Sequence, residues 1–489
     1  MFLFFNLIDP AWTISKCQFP GSTADDHNVL IIADPQLIDN HTYPSYNSFV
    51  LQLSKFTVDN YIYRNYRQLL YHLKPDTIVF VGDLLDNARS SSESYYAHEL
   101  ERFDYIFREP LKQDKFKHVP VYFNVPGNHD IGFGDDVSKH AVDRFTENFG
   151  AHDTTVPDGS NEIQVKKVVN TKVTVHSHDL IFLDTISLSN TVSEDIWGPP
   201  KEFMDSLAKE TKINPRIMFN HVPFYRDVDK STCGPLREGG GRFPLVKGYR
   251  FQSVIDHDLS AEVLSKIQPS IEFAGDDHNY CEAFIPYNVD KFLDKTPELK
   301  QAVKDASSST VTNSATTVSS ESGKLFKRDD NKSVISVNVK SISMAMGIRF
   351  PAVELLTLHD APVVPSSKTS LSSHNNYDSP TTFEYDICFL TLPYQDIIFY
   401  SFYAFFNFLY LVYFCSGNRV HGNGPRYISL ASENVYMDSG NGQRIGSRKL
   451  MGLMGFIQSI AIKKLLELCA VECVLVLALY NFVFTIHAA

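Results

Sequence analysis

"TIVFVGDLLD", residues 77 to 86, is a β-rich apolar run that stops at Gly82 and sets Asp83 and Asp86 just past its end. Uninterrupted Val/Ile/Phe runs of this kind are what strands buried on both faces look like, and such strands belong to sheets covered by helices. The pattern repeats on either side. "VLIIA" (29–33) ends at Asp34 of "IIADPQ", and "VPVYFNV" (119–125), "LIFLD" (180–184), "RIMF" (216–219) and "SIEFA" (270–274) follow. Helix-compatible segments separate several of them, the longest being residues 49–73. This alternation predicts an α/β layered domain with a central sheet buried on both faces. "SVISVNVKSISMAMGIRF" (333–350) reads as further strands closing that sheet.

Polar residues sit just beyond most of these runs. Asp34 follows the first, and Asp83 and Asp86 follow the second. Asn128, His129 and Asp130 of "VPGNHD" follow the third. His221 of "FNHVPF" follows a later one, and Asp276, Asp277 and His278 of "FAGDDHNYC" (273–281) follow the last. Each fragment alone has an ordinary reading: Gly-Asp is a common turn, a lone histidine is more often structural, and paired aspartates are usually a surface cluster. Five such groups at five strand ends, however, converge on the carboxyl rim, where open α/β sheets build their sites. Carboxylates, an amide and imidazoles are metal-ligand types. Two divalent ions about 3.5–4 Å apart, bridged by a carboxylate, would clamp phosphoryl oxygens and lower the pKa of a bound water.

The ordered set resembles the calcineurin-like metallophosphoesterases over roughly residues 25–360. The resemblance implies a sandwich of central mixed β-sheets flanked by helices, and two divalent metal ions bridged by Asp83. It gives one ion Asp34, Asp83 and His278, and the other Asp83, Asn128, His221 and Asp276. His129 would be the acid beside the phosphate rather than a ligand, with Asp86 orienting it. Gln36, Asp130 and Asp277 would stand behind the ligands. Two positions depart from the family, which has His where this chain has Gln36 and His where it has Asp276. Both changes shift the donors from nitrogen towards oxygen, which suits Mn²⁺ or Mg²⁺ better than Zn²⁺ or iron.

"ADPQ", "GDDHNYC" and "KSISMAMGI" (340–348) together resemble a narrower, fungal membrane-bound branch of that family. Its members act in the secretory pathway and remove ethanolamine phosphate from mannose of the glycosylphosphatidylinositol (GPI) anchor glycan. The resemblance therefore implies a Mn²⁺-dependent phosphodiesterase whose substrate is a GPI-anchored protein or GPI glycolipid. It places the catalytic domain on the lumenal side of the endoplasmic reticulum or Golgi membrane. Two alternatives remain open: a phosphomonoesterase acting on lipid or protein, and a catalytically silent receptor for GPI-anchored proteins. The substrate amine calls for an anionic neighbour, with Asp277, Asp130 and Glu238 of "REGGGRF" (237–243) as candidates. That loop itself reads either as a turn or as a phosphate-cradling nest.

The remaining signals concern location and layout. The net charge of −12 argues against a nucleic-acid partner. Cys17, Cys233, Cys281 and Cys388 lie in the polar part and permit disulfides of unassigned pairing, whereas Cys415, Cys469 and Cys473 fall in apolar stretches as packing residues. Ile397–Cys415 runs 19 residues without a charge, enough to cross a bilayer core of about 30 Å, with a buried core helix as the competing reading. Residues 416–450 carry five Arg/Lys and two acids, which makes them cytoplasmic by the positive-inside tendency. Sequons at Asn40 and Asn331 fit lumenal exposure. The expected organisation begins with an N-terminal apolar segment at 1–24, a remnant of a membrane anchor. A lumenal metallophosphoesterase domain occupies 25–357, with a disordered Ser/Thr insertion at about 303–330. A linker (358–394), a transmembrane helix (395–416), a cytoplasmic loop (417–450) and a membrane-associated and transmembrane segment (451–489) complete it.

Overall fold

Along strand β1 (His27–Ile32) successive side chains serve two different cores: Val29 and Ile31 face one, Leu30 and Ile32 the other, and all four are fully buried. A period of two with both faces apolar requires a layer on each side. The computed structural model, which describes residues 3–155, 164–229, 232–248, 251–288, 331–363, 381–417 and a few positions between 467 and 474, shows what those layers are. In chain order the other strands are β2 (Thr77–Phe80), β3 (Val121–Tyr122), β4 (Ala151–Thr155), β5 (Gln164–Val168), β6 (Thr171–Val175), β7 (His178–Phe182), β8 (Arg216–Phe219), β9 (Lys247–Gly248), β10 (Phe251–Gln252), β11 (Ile271–Ala274), β12 (Cys281–Asn288), β13 (Asn331–Asn338), β14 (Ala352–Val363) and β15 (Thr381–Phe389).

Two mixed sheets face each other. One has the order β15-β14-β1-β2-β3 and the other β12-β13-β11-β8-β7-β6. Val29, Ile31 and Val79 of the first meet Phe182, Ile217, Phe219 and Phe273 of the second in a shared apolar layer. The rings of Phe182, Phe219 and Phe273 stack across three neighbouring strands, with centroids 5.2 and 5.8 Å apart. The outer faces carry helices, including α1 (Asp9–Ile14) and the long α2 (Ser48–Leu73). The helix-flanked sandwich of mixed sheets that the resemblance implies is present, where the strand pattern alone read as one central sheet. Pairings β1–β2, β2–β3, β7–β8 and β8–β11 are parallel, so the ends followed by Asp34, Asp83, His221 and Asp276 lie on common rims.

The expected boundaries need correction. β14 runs to Val363 and β15 occupies 381–389, so two stretches read as linker (358–394) are sheet. Phe383, Tyr385 and Ile387 on β15 face the intersheet layer. Only residues 331–338 of the predicted strand run 333–350 are a strand; the remainder is loop. Residues 6–24 of the expected anchor remnant are part of the fold as well: Ile14 is fully buried, and Cys17 is disulfide-bonded to Cys388 on β15. A second disulfide joins Cys233 to Cys281. The chain divides into two compact units, residues 6–393 and a smaller one of residues 1–5 with those from 394 onward. In the smaller unit the helix Gln395–Gly417 is long and apolar enough to cross a membrane, and 6 % of its apolar window is buried. The expected Ser/Thr insertion, the loop at 417–450 and nearly all of 451–489 lie outside the described residues.

The Cys17–Cys388 bond closes a separation of 371 residues and sews α1 to an edge strand. The double variant Cys17→Ser/Cys388→Ser is expected to lose about 2–4 kcal/mol of stability by denaturant unfolding, with divalent-cation binding retained.

Candidate active site

Two buried carboxylates, a third nearly buried and one buried imidazole meet where the two sheets share a rim. Donor atoms of Asp34, Asp83 and His221 all lie within 4.8 Å of one another. His221 hydrogen-bonds through Nδ1–H to the Val81 carbonyl at 2.8 Å, which turns Nε2 towards the acidic side chains. Around Nε2 lie Asn128 Oδ1 at 3.3 Å, Asp83 Oδ1 at 3.4 Å and Asp276 Oδ1 at 3.8 Å. Nδ1 is also 3.7 Å from Asp34, but its proton is already committed. Asp83, Asn128 and Asp276 therefore gather around His221 Nε2, with Asp34 on the Nδ1 side of the ring.

The backbone is bent to allow this. Asp34, Gln36, Asp83, Asp276 and His278 all have positive φ, which is half of the ten such non-glycine residues described. Left-handed conformations cost bulky residues about 1–3 kcal/mol, and they persist where surroundings over-determine them. A Cβ on Gly127 would fall on the Asp83 carboxylate, and one on Gly82 (φ +91°) would fall on the His221 ring. Asp130 supplies the clamp: its carboxylate accepts from Gly127 N–H at 2.9 Å and from Leu84 and Leu85 N–H, each at 3.1 Å. It thus ties the loop after β2 to the loop after β3. Asp34 Oδ1 accepts from Asp276 N–H at 3.1 Å, while its Oδ2 is buried without a partner.

Charge accounts for the rest. Burial pushes the Asp34 carboxyl well above its usual range, with His221 offsetting part of the effect. Burial also acts on Asp83, but the charges of His221 and His129 hold it below the usual carboxylate range. His221, despite burial, is driven up by Asp83, Asp34 and Asp276. Burial lifts Asp276 to about 7 and depresses His278 to about 4. An acidic pocket that recruits a proton onto a buried imidazole is short of positive charge. The orphaned Asp34 oxygen, an imidazole nitrogen ringed by oxygens and the oxygen-rich donors all fit divalent cations.

His129 stands at the mouth, its side chain 26 % exposed. Its backbone N–H donates to Asp83 Oδ1 at 2.9 Å, and its Nδ1–H donates to the main-chain carbonyl of Asp86. Asp86 therefore orients the ring through its backbone; its carboxylate, 3.4 Å away, accepts instead from Gln36 Nε2 at 3.0 Å and Thr42 Oγ1 at 2.6 Å. Gln36 Nε2 also lies 3.1 Å from His129 Nε2. Gln36 is a positioning residue between Asp86 and His129.

The three carboxylates considered for the substrate amine are already engaged. Asp130 is buried in its clamp, and Asp277 pairs with both terminal nitrogens of Arg237. Glu238 takes Lys340 and the backbone N–H groups of Arg349 and Phe350. In the same loop Gly239 and Gly240 have positive φ and open space around them, as a turn requires. Thr42, Arg237 and Ser341, whose hydroxyl donates to the Asp34 carbonyl at 2.7 Å, escaped the sequence reading. The signal for Ser341 lay in "KSISMAMGI": this loop also reaches His278, through the Met346 backbone.

Fold and site together define a metal-dependent phosphoester hydrolase. The calcineurin-like phosphoesterase model matches residues 27–280, and the chain belongs to that family. It is 32% identical to Cell division control protein 1 of Saccharomyces cerevisiae over 406 residues, which cover 82% of this chain and 69% of that protein. Metallophosphoesterase 1 of Xenopus laevis is 26% identical over 305 residues (58% of this chain, 70% of that protein). The Mus musculus protein of the same name is 25% identical over 229 residues (46% and 54%).

Two expectations follow. Gln36→Ala removes the amide that bridges the Asp86 carboxylate and the His129 ring, so kcat should fall by about 10–100-fold at unchanged metal content. A cation must displace the protons on Asp276 and His221. Its affinity for metal-free protein, measured by calorimetry, should rise between pH 5 and 7 by about tenfold per unit for each proton released. Asp276→Asn should flatten that rise.

Proposed function

We propose that the protein is a membrane-anchored phosphodiesterase that removes ethanolamine phosphate from a mannose of the GPI-anchor glycan, using two divalent ions, Mn²⁺ by preference. The observation that carries the catalytic part is the single acidic rim on which Asp34, Asp83, Asn128, His221 and Asp276 meet beside a partly exposed His129. In this reading Asp34, Asp83 and His278 hold one ion, and Asp83, Asn128, His221 and Asp276 the other. When bound, the pair polarises the phosphoryl oxygens and activates water for in-line attack. The preference for Mn²⁺ rests on Gln36 and Asp276 standing where the family has histidines, with Gln36 turned to Asp86 instead.

The protein's own groups do the remaining work. His129, fixed at Nδ1 by the Asp86 carbonyl, presents Nε2 to the cleft, where a proton passes to the departing mannose oxygen. Asp130 keeps the two loops carrying Asp83 and His129 in register. Arg237 and Lys340, on loops beside Asp276 and Asp34, are matched by Asp277 and Glu238. That local neutrality favours a diester, with one negative charge, over a dianionic monoester. Membrane attachment rests on the apolar helix Gln395–Gly417. The two disulfides, which form in oxidising compartments, support a lumenal face and an endoplasmic reticulum or Golgi location.

The test takes the full chain in detergent, strips the metal, and titrates Mn²⁺, Mg²⁺ and Zn²⁺ while following an ethanolamine-phosphate mannoside beside the mannose monoester. Mn²⁺ should restore diester cleavage best, Asp83→Asn should abolish it, and His129→Ala should lower kcat by about 100-fold with metal retained. Faster monoester turnover would replace the diesterase reading. A folded, metal-loaded chain that cleaves neither would point to a silent receptor.

A further inference from the structure

The first two turns of α2 are apolar where they meet solvent. Phe49 is 77% exposed, Leu53 55% and Phe56 49%, spaced along about 10 Å of helix. From Ser45 to Val58 the sole charge is Lys55, and it is buried against Glu99 at 2.8 Å. α1, packed on α2, adds Trp12, 67% exposed. A soluble surface of this size normally interleaves charges, and a continuous uncharged aromatic face marks an interaction site.

The occupant is indicated by where the chain leaves this unit. Both exits are fastened to the next turns of the same helix. Asn60 Nδ2 donates to Asn6 Oδ1 at 3.0 Å, the Tyr61 hydroxyl donates to the Thr391 carbonyl at 2.6 Å, and Asn65 Nδ2 donates to Thr391 Oγ1 at 3.1 Å. Four residues past Thr391 the apolar helix Gln395–Gly417 begins, and Leu392 in between is 40% exposed. The helix that pins both exits of the chain, one of them four residues from the apolar helix, therefore carries the exposed aromatic face one to three turns away. Amphipathic surfaces rich in Phe, Leu and Trp sit in the interfacial layer of a bilayer.

We infer that Phe49, Leu53 and Phe56 of α2, with Trp12, form a second and shallow contact with the lipid bilayer in which the apolar helix is anchored. This rests on the membrane-anchored part of the proposed function. It also gives the contact a purpose. Asn47 caps α2 five residues after Thr42, whose hydroxyl holds Asp86 beside His129. Seating the start of α2 in the interface brings the rim of the site to the membrane surface, within reach of a phosphodiester carried on a lipid-anchored glycan.

The experiment uses the full chain in phosphatidylcholine liposomes with plain or brominated acyl chains. Trp12→Phe and Trp197→Phe remove the native tryptophans, and Phe49→Trp supplies a single reporter. Bromine should quench it by at least about twofold, while the same background with Ile213→Trp, at a position 84% exposed elsewhere, should be unaffected. Phe49→Ser/Leu53→Ser/Phe56→Ser should cleave a soluble aryl diester at the wild-type rate and the liposome-embedded glycolipid several-fold more slowly. An unquenched reporter in a chain that survives an alkaline wash overturns the contact and leaves the anchor standing. A blue-shifted but unquenched reporter assigns the face to a second copy or to another segment of this chain, and overturns it too. Release of the chain by the wash removes the anchor itself, and the inference with it.

Discussion

Like charge in a dry place is the constraint from which the rest of this protein follows. Asp34 and Asp83 are buried, Asp276 is nearly so, and all three crowd one histidine. Such a cluster is unfavourable unless something positive sits in it, and the surrounding chain is shaped to keep it assembled regardless. Asp130 lies beneath, burial and the Asp83 charge lifting its carboxyl to about 7, and it ties two loops together through three backbone donors. Left-handed backbone at five positions aims the polar side chains inward. The price in strain is carried by the two sheets, whose facing apolar layers are buried.

The sandwich explains how one rim can hold residues so far apart in the chain. Parallel strands in each sheet end on the same side, so the loop after each arrives at a common edge without a detour. Asp34, Asp83 and Asn128 come from one sheet and His221, Asp276 and His278 from the other. The site is therefore an interface between sheets, and the Asp276 N–H bond to Asp34 is one of the stitches that closes it.

Much of this was readable because the strands announce themselves. "TIVFV", "VLIIA" and "RIMF" are buried on both faces, and a strand end followed by Asp or Asn-His is visible in one dimension. The number of sheets was not legible, since a strand covered on both sides reads the same whether its cover is helix or sheet. β15 was hidden by its own chemistry: "TTFEYDICF" alternates polar with apolar, as an edge strand does, and follows a polar stretch that reads as linker. Pairings such as Arg237 with Asp277 and Thr42 with Asp86 span 40 and 44 residues and leave no periodic trace. Gln36 illustrates the middle case. Its departure from the family pattern was plain in the sequence, but its bond to Asp86 needed coordinates.

The bond from Ser341 to Asp34 spans 307 residues, and β1 gains its antiparallel neighbour only when β14 arrives. A chain made from its N-terminus must therefore hold a half-built acidic rim for most of its synthesis. Contacts of such long sequence separation form slowly, because loop closure precedes any gain from them. The site is thus among the last features to mature, and a chain cut short before residue 341 has all five of its strand-end loops in hand but lacks the bond that holds the Asp34 loop. The arrival of β14 and Ser341 completes the frame around Asp34.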